Sequence, residues 1–275
     1  MGNKNSHSKQ EQLVIKNIQE FNQIESEKER HEKLLEYYFS NDTDSIDRFH
    51  VFHFLKQHIF QSNFSSPIED KLIKGEYKVL DIGCGPGTWL LDLSSKYDNS
   101  NFVGIDIEPI FPQEIKPNNV EFIKASISNG LSYRDNEFDF THIELLRLFY
   151  TVDQWDFILT ELIRVTKPGG YIEVSGRRKE NVVRAPIFCN IMDTRNVHRI
   201  EENFVIGPNG GKIGMIAQDL ALGYLKSEPL VKTLSEEMGV SKEEYKNMIE
   251  KDLIEEFKQS CSESIYVRIW SQKLS

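Results

Sequence analysis

From Tyr77 onward, short apolar runs alternate with longer stretches in which apolar residues recur at helical spacing. Val79, Leu80 and Ile82 form the first run, which stops at glycines. Further runs follow over 102–107, 120–125, 138–143 and 170–174, and their brevity and content of Val, Ile and Phe predict strands. The stretches 88–96 and 155–165 are compatible with helices. A repeating strand-then-helix order predicts an α/β domain, in which a parallel sheet carries helices on both faces and is closed by right-handed crossovers.

Both flanks of this region read differently. Residues 1–9 are polar and predict a disordered tail, and 10–38 are dense in Glu, Lys and Gln. Leu13, Ile15, Ile18, Phe21 and Ile24 recur there at roughly helical spacing, so a helical N-terminal arm is expected. Asn41-Asp42-Thr43-Asp44 breaks the pattern and supplies N-cap candidates for a second helix, with Ile46, Phe49, Phe52, Phe54, Leu55 and Ile59 as its buried face. Beyond Ser175 the cycle becomes irregular. Helical segments are expected over 185–199 and 215–238, on either side of the glycine-rich 207–211, followed by a helix over 241–259 and a last strand over 264–270. The organisation expected is an arm over 10–76 and one domain over 77–275. Within that domain the core is 77–175, a lid over 176–238 faces the substrate, and a closing helix and strand lie over 241–270.

The composition narrows the partners. A chain of 275 residues with net charge −10 would have to build any cationic face against its own field, which argues against nucleic acid as a ligand. Cys84, Cys189 and Cys261 form no CxxC pair and no zinc-like spacing, which fits a reducing compartment, the cytoplasm first and the nucleus second. No apolar run reaches the length of a membrane span, and the first residues are too polar for a secretory signal. Met1, Gly2 and Ser6 stand in the arrangement that N-myristoylation requires, and one acyl chain at Gly2 would give weak, reversible membrane attachment. His50, His53 and His58 share a predicted helix without an i, i+4 pair or a completing carboxylate or cysteine, so no metal is expected.

The segment Val79-Leu80-Asp81-Ile82-Gly83-Cys84-Gly85-Pro86-Gly87-Thr88 carries the strongest chemical signal. Glycines after a first strand let backbone amides approach a ligand with no Cβ in the way, at the sheet edge where α/β folds bind nucleotides. The dinucleotide fingerprint needs its third glycine three residues after the second, where this chain has Thr88, so a nicotinamide-dependent dehydrogenase is the weaker competitor. The G-x-G-x-G spacing of Gly83, Gly85 and Gly87, together with Asp81, suits a ligand that has a cationic sulfonium and no pyrophosphate.

Together with Val103-Gly104-Ile105-Asp106-Ile107 and Glu161 to Tyr171, which contains Lys167-Pro168-Gly169-Gly170, this segment resembles the class I S-adenosylmethionine-dependent methyltransferases. The resemblance is firm over 77–175 and looser at both ends, where Asp47-Arg48 with Tyr38 upstream, within the arm over 10–76, resembles a segment that covers the cofactor in some members. It implies a Rossmann-like, mostly parallel sheet of seven strands whose last strand is antiparallel. It also implies S-adenosylmethionine as cofactor, held by Asp81, Gly83, Gly85 and Gly87, by Asp106 and Ile107 at the ribose, and by Ser126 and Ile127 at the adenine. Ser126 stands where many members carry Asp, and a hydroxyl can accept the same bond or serve only to turn the chain. Glu144, at the end of the fourth strand, is a candidate to face the sulfonium, and His142 is a candidate general base, against the commoner reading of a packed imidazole. The fourth strand ends in Thr141-His142-Ile143-Glu144 and lacks the Asn-Pro-Pro-Tyr type of motif. Together with the acidic charge and the lid-like region after 176, this favours a small-molecule methyl acceptor. The alternative from another class is a regulatory protein that keeps the fold and acts by binding a partner.

Overall fold

The structure, a computed structural model, describes residues 43–144, 150–178 and 197–274. The arm over 10–38, Gly2 with its acylation pattern, Cys189 and most of the segment 185–199 therefore lie outside the described residues. The described residues begin with helix α1 (Thr43–Phe60) and the short α2 (Glu69–Lys74). It continues through β1 (Lys78–Ile82), α3 (Thr88–Lys96), β2 (Asn101–Asp106), β3 (Val120–Lys124), β4 (Phe138–Glu144), α4 (Val152–Val165) and β5 (Thr166–Arg177). Then come β6 (Val197–Val205), α5 (Gly211–Leu225), α6 (Glu228–Met238), α7 (Lys242–Asn247), α8 (Leu253–Gln259) and β7 (Glu263–Gln272).

Among the described residues the strands form one seven-stranded sheet in the order β3-β2-β1-β4-β5-β7-β6, with β7 antiparallel to both of its neighbours. This is the mostly parallel sheet with an antiparallel last strand that the sequence implied. Two apolar layers sandwich it. Ile158, Leu159 and Leu162 of α4 pack on Leu80, Ile82, Ile143 and Ile172 on one face. Leu90 and Leu93 of α3, with Ile68 and Leu72, pack on Val79, Phe102, Phe122 and Phe140 on the other. α4 starts where it does because Thr151 and Gln154 form a reciprocal capping box, each side chain satisfying a backbone amide of the first turn. β1 pairs with β2 on one side and β4 on the other, so strand order reverses there and a crevice opens beyond the carboxyl ends of these strands.

Four expectations are corrected. Val197–Val205 is the edge strand β6 of the main sheet, so 197–199 are not helical and the expected lid over 176–238 contributes to the sheet itself. An edge strand has one neighbour and a wetted surface, and the exposure of His198, Arg199 and Glu201 hides its alternation. Aromatic pairs stitch it to β7: His198 stacks on Trp270 at 5.2 Å and Phe204 on Tyr266 at 5.4 Å. The segment 215–238 is two helices, broken before Glu228-Pro229 because Pro fits the first turn of a new helix. The strand expected over 170–174 starts earlier, at Thr166, so Lys167-Pro168-Gly169-Gly170 falls inside β5, which pairs Thr166 with Phe138 and then shifts register, Gly169 adopting φ +77°. On α1, Leu55 is buried as expected, but Phe54 is 53% exposed and His53 and Lys56 are buried instead.

Candidate functional site

The crevice is a cavity walled by the ends of β1, β2 and β4 and covered by α1. Its floor is the glycine loop after β1. Gly83 and Cys84 both donate backbone N–H to the Ile105 carbonyl, at 2.8 and 3.1 Å, which clamps the loop against β2. Gly83 and Gly85 hold φ of +72° and +54°, and a Cβ on Gly85 would project into open space within the cavity. Gly87 has a different task. Its φ is +77° as the N-cap of α3, it does not line the cavity, and a Cβ there would run into the Phe122 ring. The sequence placed Gly87 among cofactor contacts; the structure gives it a packing role. Gly87→Ala should therefore lower unfolding stability by about 1–3 kcal/mol, because strain and overpacking add. A denaturant midpoint unchanged from that of the parent would contradict this.

Four of the ionisable groups that line the cavity form two pairs. Asp81 and His142 sit opposite each other on β1 and β4, and His142 Nδ1 lies 2.8 Å from Asp81 Oδ1, both side chains buried. Trp89 of α3 stacks on the imidazole at 4.2 Å. Burial raises the Asp81 pKa, opposed by its bond to His142. Glu144, one step beyond His142 on the same face of β4, is ion-paired with Lys56 of α1. Burial pushes the Glu144 carboxyl up, but Lys56, His142 and Arg268 together hold it below its ordinary value. Burial lowers the Lys56 pKa against the pull of Glu144. His53, beside them on α1, is lowered to about 4 by burial and by Lys56, so its imidazole is neutral near pH 7.

Asp106 ends β2 at the far wall. Its Oδ2 accepts from Gly85 N–H at 2.8 Å and its Oδ1 from Glu108 N–H at 3.0 Å. Burial raises its pKa, and those amides oppose the rise. The carboxylate is thus fixed in orientation with lone pairs left over, as recognition of a vicinal diol requires. Ser126 lies at the same end and turns the chain by accepting from Ser128 N–H at 3.3 Å, with Ile127 buried beside it.

Of the residues singled out in the sequence, Asp81, Gly83, Gly85, Asp106, Ile107, Ser126, Ile127, His142 and Glu144 meet around this one cavity, and only Gly87 does not. Sequence reasoning put Phe49 and Phe52 on the buried face of this helix without placing them at the cavity, and it missed His53 and Lys56, which α1 also turns into the cavity, and Thr88, Trp89 and Tyr150. The spacing 49, 52, 53, 56 is one helical face and was available as a signal. It was hidden because His53 and Lys56 complete it with polar side chains, and the apolar pattern through Phe49 and Phe52 continued instead to Phe54 and Leu55. His50 instead ties α1 to α3 through Thr88, Nδ1 to Oγ1 at 2.6 Å.

The fold and its cavity define a Rossmann-like α/β domain with a nucleotide-type site at the strand-order switch. Residues 79–170 match the family model of a methyltransferase domain. Among curated proteins it is similar to the secondary metabolism regulator LAE1 of Cochliobolus heterostrophus, 26% identical over 133 residues, which are 48% of this chain and 42% of that protein. It is also similar to the secondary metabolism regulator laeA of Aspergillus niger, 30% identical over 97 residues, 35% of this chain and 25% of that protein. A protein of Aspergillus luteorubrus named "Probable methyltransferase ltbC" is 33% identical over 114 residues, 36% of this chain and 40% of its own length. The matches thus span less than half of each of these relatives. A solved structure of coclaurine N-methyltransferase, bound to N-methylheliamine and SAH, superposes with a TM-score of 0.47 at 16% identity, covering 81% of this chain and 72% of that one. Among the described residues no helix is long and apolar enough to cross a membrane.

Proposed function

We propose that the chain binds S-adenosylmethionine in this cavity and transfers its methyl group to a small-molecule acceptor. The observation that carries the reading is the pairing of Asp106 with Gly85: a buried carboxylate, oriented by a backbone amide, at the wall of a cavity into which the neighbouring glycine leaves open space. A diol on one side and a bulky ligand over the loop would complete both features. The residues fit the rest of the cofactor as well, since the opposite end presents the carboxylates of Asp81 and Glu144 to a cationic group.

When bound, the cofactor supplies an activated methyl group, so the protein has to hold donor and acceptor in line and exclude water rather than generate a reactive group. Asp106 would hold the ribose, Ser126 and Ile127 the adenine, and Gly83 and Gly85 would let the loop approach closely. α1 would exclude water by laying Phe49 and Phe52 over the cavity. His142 is oriented by Asp81, as a base would need to be, and would take a proton from an acceptor that must lose one before attack. The net charge of −10 supports a small acceptor over nucleic acid, and the free thiols of Cys84 and Cys261 agree with a reducing compartment, cytoplasm or nucleus. Oligomeric state enters none of these steps.

The names of the curated relatives favour a second reading, a regulator built on the same fold. Incubation of the purified protein with methyl-labelled S-adenosylmethionine and fractionated cell extract separates the two. Label appearing in the small-molecule fraction is the expected result. Label only in protein or nucleic acid would contradict the acceptor class, and cofactor binding with no transfer to any fraction would favour the regulator.

A further inference from the structure

The Lys56–Glu144 pair is the one feature of the cavity that the cofactor reading does not by itself explain. Glu144 sits at the carboxyl end of β4, two residues beyond His142, and lines the cavity opposite the Asp106 end. A carboxylate there is well placed for a sulfonium, yet it is already neutralised. Lys56 is buried, its Nζ bonded to Glu144 and lying 4.6 Å from the centre of the Phe52 ring, which also lines the cavity. The lysine comes from the covering helix and the glutamate from the sheet, so the pair also joins the two walls of the site. The other ionisable groups facing it are Asp81, His142 and Arg268, while His53 beside it is neutral.

S-adenosylmethionine and S-adenosylhomocysteine differ by a methyl group and by the positive charge on sulfur. Between groups as little exposed as Lys56 and Glu144, charges act over several ångströms with less screening than in water, so an isolated Glu144 would favour the cationic cofactor over the neutral product. An isolated Lys56 would do the reverse. Resting on the cofactor reading above, we propose that Lys56 is a specificity-determining residue. By sharing Glu144 with the ligand, it sets how strongly the site distinguishes cofactor from product.

The test is calorimetric titration of the full chain with each ligand, read as the ratio of Kd for S-adenosylhomocysteine to Kd for S-adenosylmethionine. Lys56→Met should raise this ratio about tenfold and Glu144→Gln should lower it about tenfold, the two shifts being opposite because the charge left behind is opposite. Because Lys56→Met leaves a buried carboxylate without its partner and can destabilise the fold, Lys56→Gln serves as a second variant. It keeps a donor to Glu144 while losing the charge, and the ratio should move the same way. The double variant Lys56→Met with Glu144→Gln leaves no net charge and should return the ratio to within about threefold of the parent. Ratios within twofold of the parent in every single variant, with product binding retained, would overturn the inference and leave the cofactor site standing. Failure of the parent chain to bind either ligand would overturn the cofactor reading, and this inference with it.

Discussion

Asp106→Ala should weaken binding of S-adenosylmethionine at least about a hundredfold while leaving a cooperatively folded protein. Two hydrogen bonds from a ribose diol to one carboxylate are charge-assisted, and each contributes about 1.5–3 kcal/mol, so losing both costs about two to four powers of ten in affinity. The local structure tolerates the loss. Gly85 N–H and Glu108 N–H each lose an acceptor, but the buried carboxylate that they stabilised is gone too, and its burial was unfavourable enough to raise its pKa. A stability change within about 2 kcal/mol is expected. Asp106→Asn, which keeps the shape but offers one acceptor oxygen, should fall between the two. The same titration checks both variants, and an unchanged affinity in Asp106→Ala would contradict the assignment of the ribose end.

The largest effect on stability should come from a residue outside the cavity. Glu173, in the middle of β5, is fully buried, and its Oε2 accepts from Ser65 N–H, Ser66 N–H and Ser66 Oγ at 2.9, 2.8 and 2.7 Å. Arg268 of β7 stands across from it, Nε to Oε1 at 3.8 Å, with its guanidinium 4.1 Å from the centre of the Phe60 ring and a bond to the Ser62 carbonyl. One carboxylate thus fastens the segment between α1 and α2 to the sheet and balances a buried cation. Glu173→Ala would take from Arg268 the larger of its two counter-charges, Glu144 being the other, and leave two amides without acceptors, a change expected to cost about 3–5 kcal/mol in unfolding free energy. Glu173→Gln keeps some of the acceptors and should cost less. Chemical denaturation monitored by circular dichroism gives both values, and a loss below about 1 kcal/mol in Glu173→Ala would show that the clamp contributes little. Because α1 is anchored through this segment, the alanine variant should also bind cofactor more weakly.

The contrast between Asp106 and Glu173 shows what was legible in the sequence. Strands β1, β2 and β4 were readable because parallel strands buried on both faces are written as nearly continuous apolar runs, the first stopping at glycines, the second at Asp106 and the third at Glu144. The wall of the cavity made by those strand ends was readable for the same reason: Asp81, Asp106, His142 and Glu144 sit at or next to the point where each run stops. Glu173 gave no signal, since a single Glu within Tyr171-Ile172-Glu173-Val174 has the pattern of an outward-facing position. Its partners are about a hundred residues away in sequence. Lys56 and His53 were hidden likewise, because their burial depends on Glu144, Arg268 and Asp92, which only the folded chain brings near. Strand β6 was lost because an edge strand is mostly exposed, so its composition resembles that of a polar helix or loop. The packing role of Gly87 was hidden because spacing reports a glycine's position, not whether the missing Cβ would meet a ligand or the Phe122 ring.

The central claim is that the cavity between the glycine loop, Asp106 and α1 holds S-adenosylmethionine. The most direct test is calorimetric titration of the purified chain with S-adenosylmethionine, run in parallel with NAD. Saturable, one-to-one binding of S-adenosylmethionine in the micromolar range with no heat from NAD is the predicted result. Binding of NAD in its place, or no binding and no thermal shift with S-adenosylmethionine, would contradict the account.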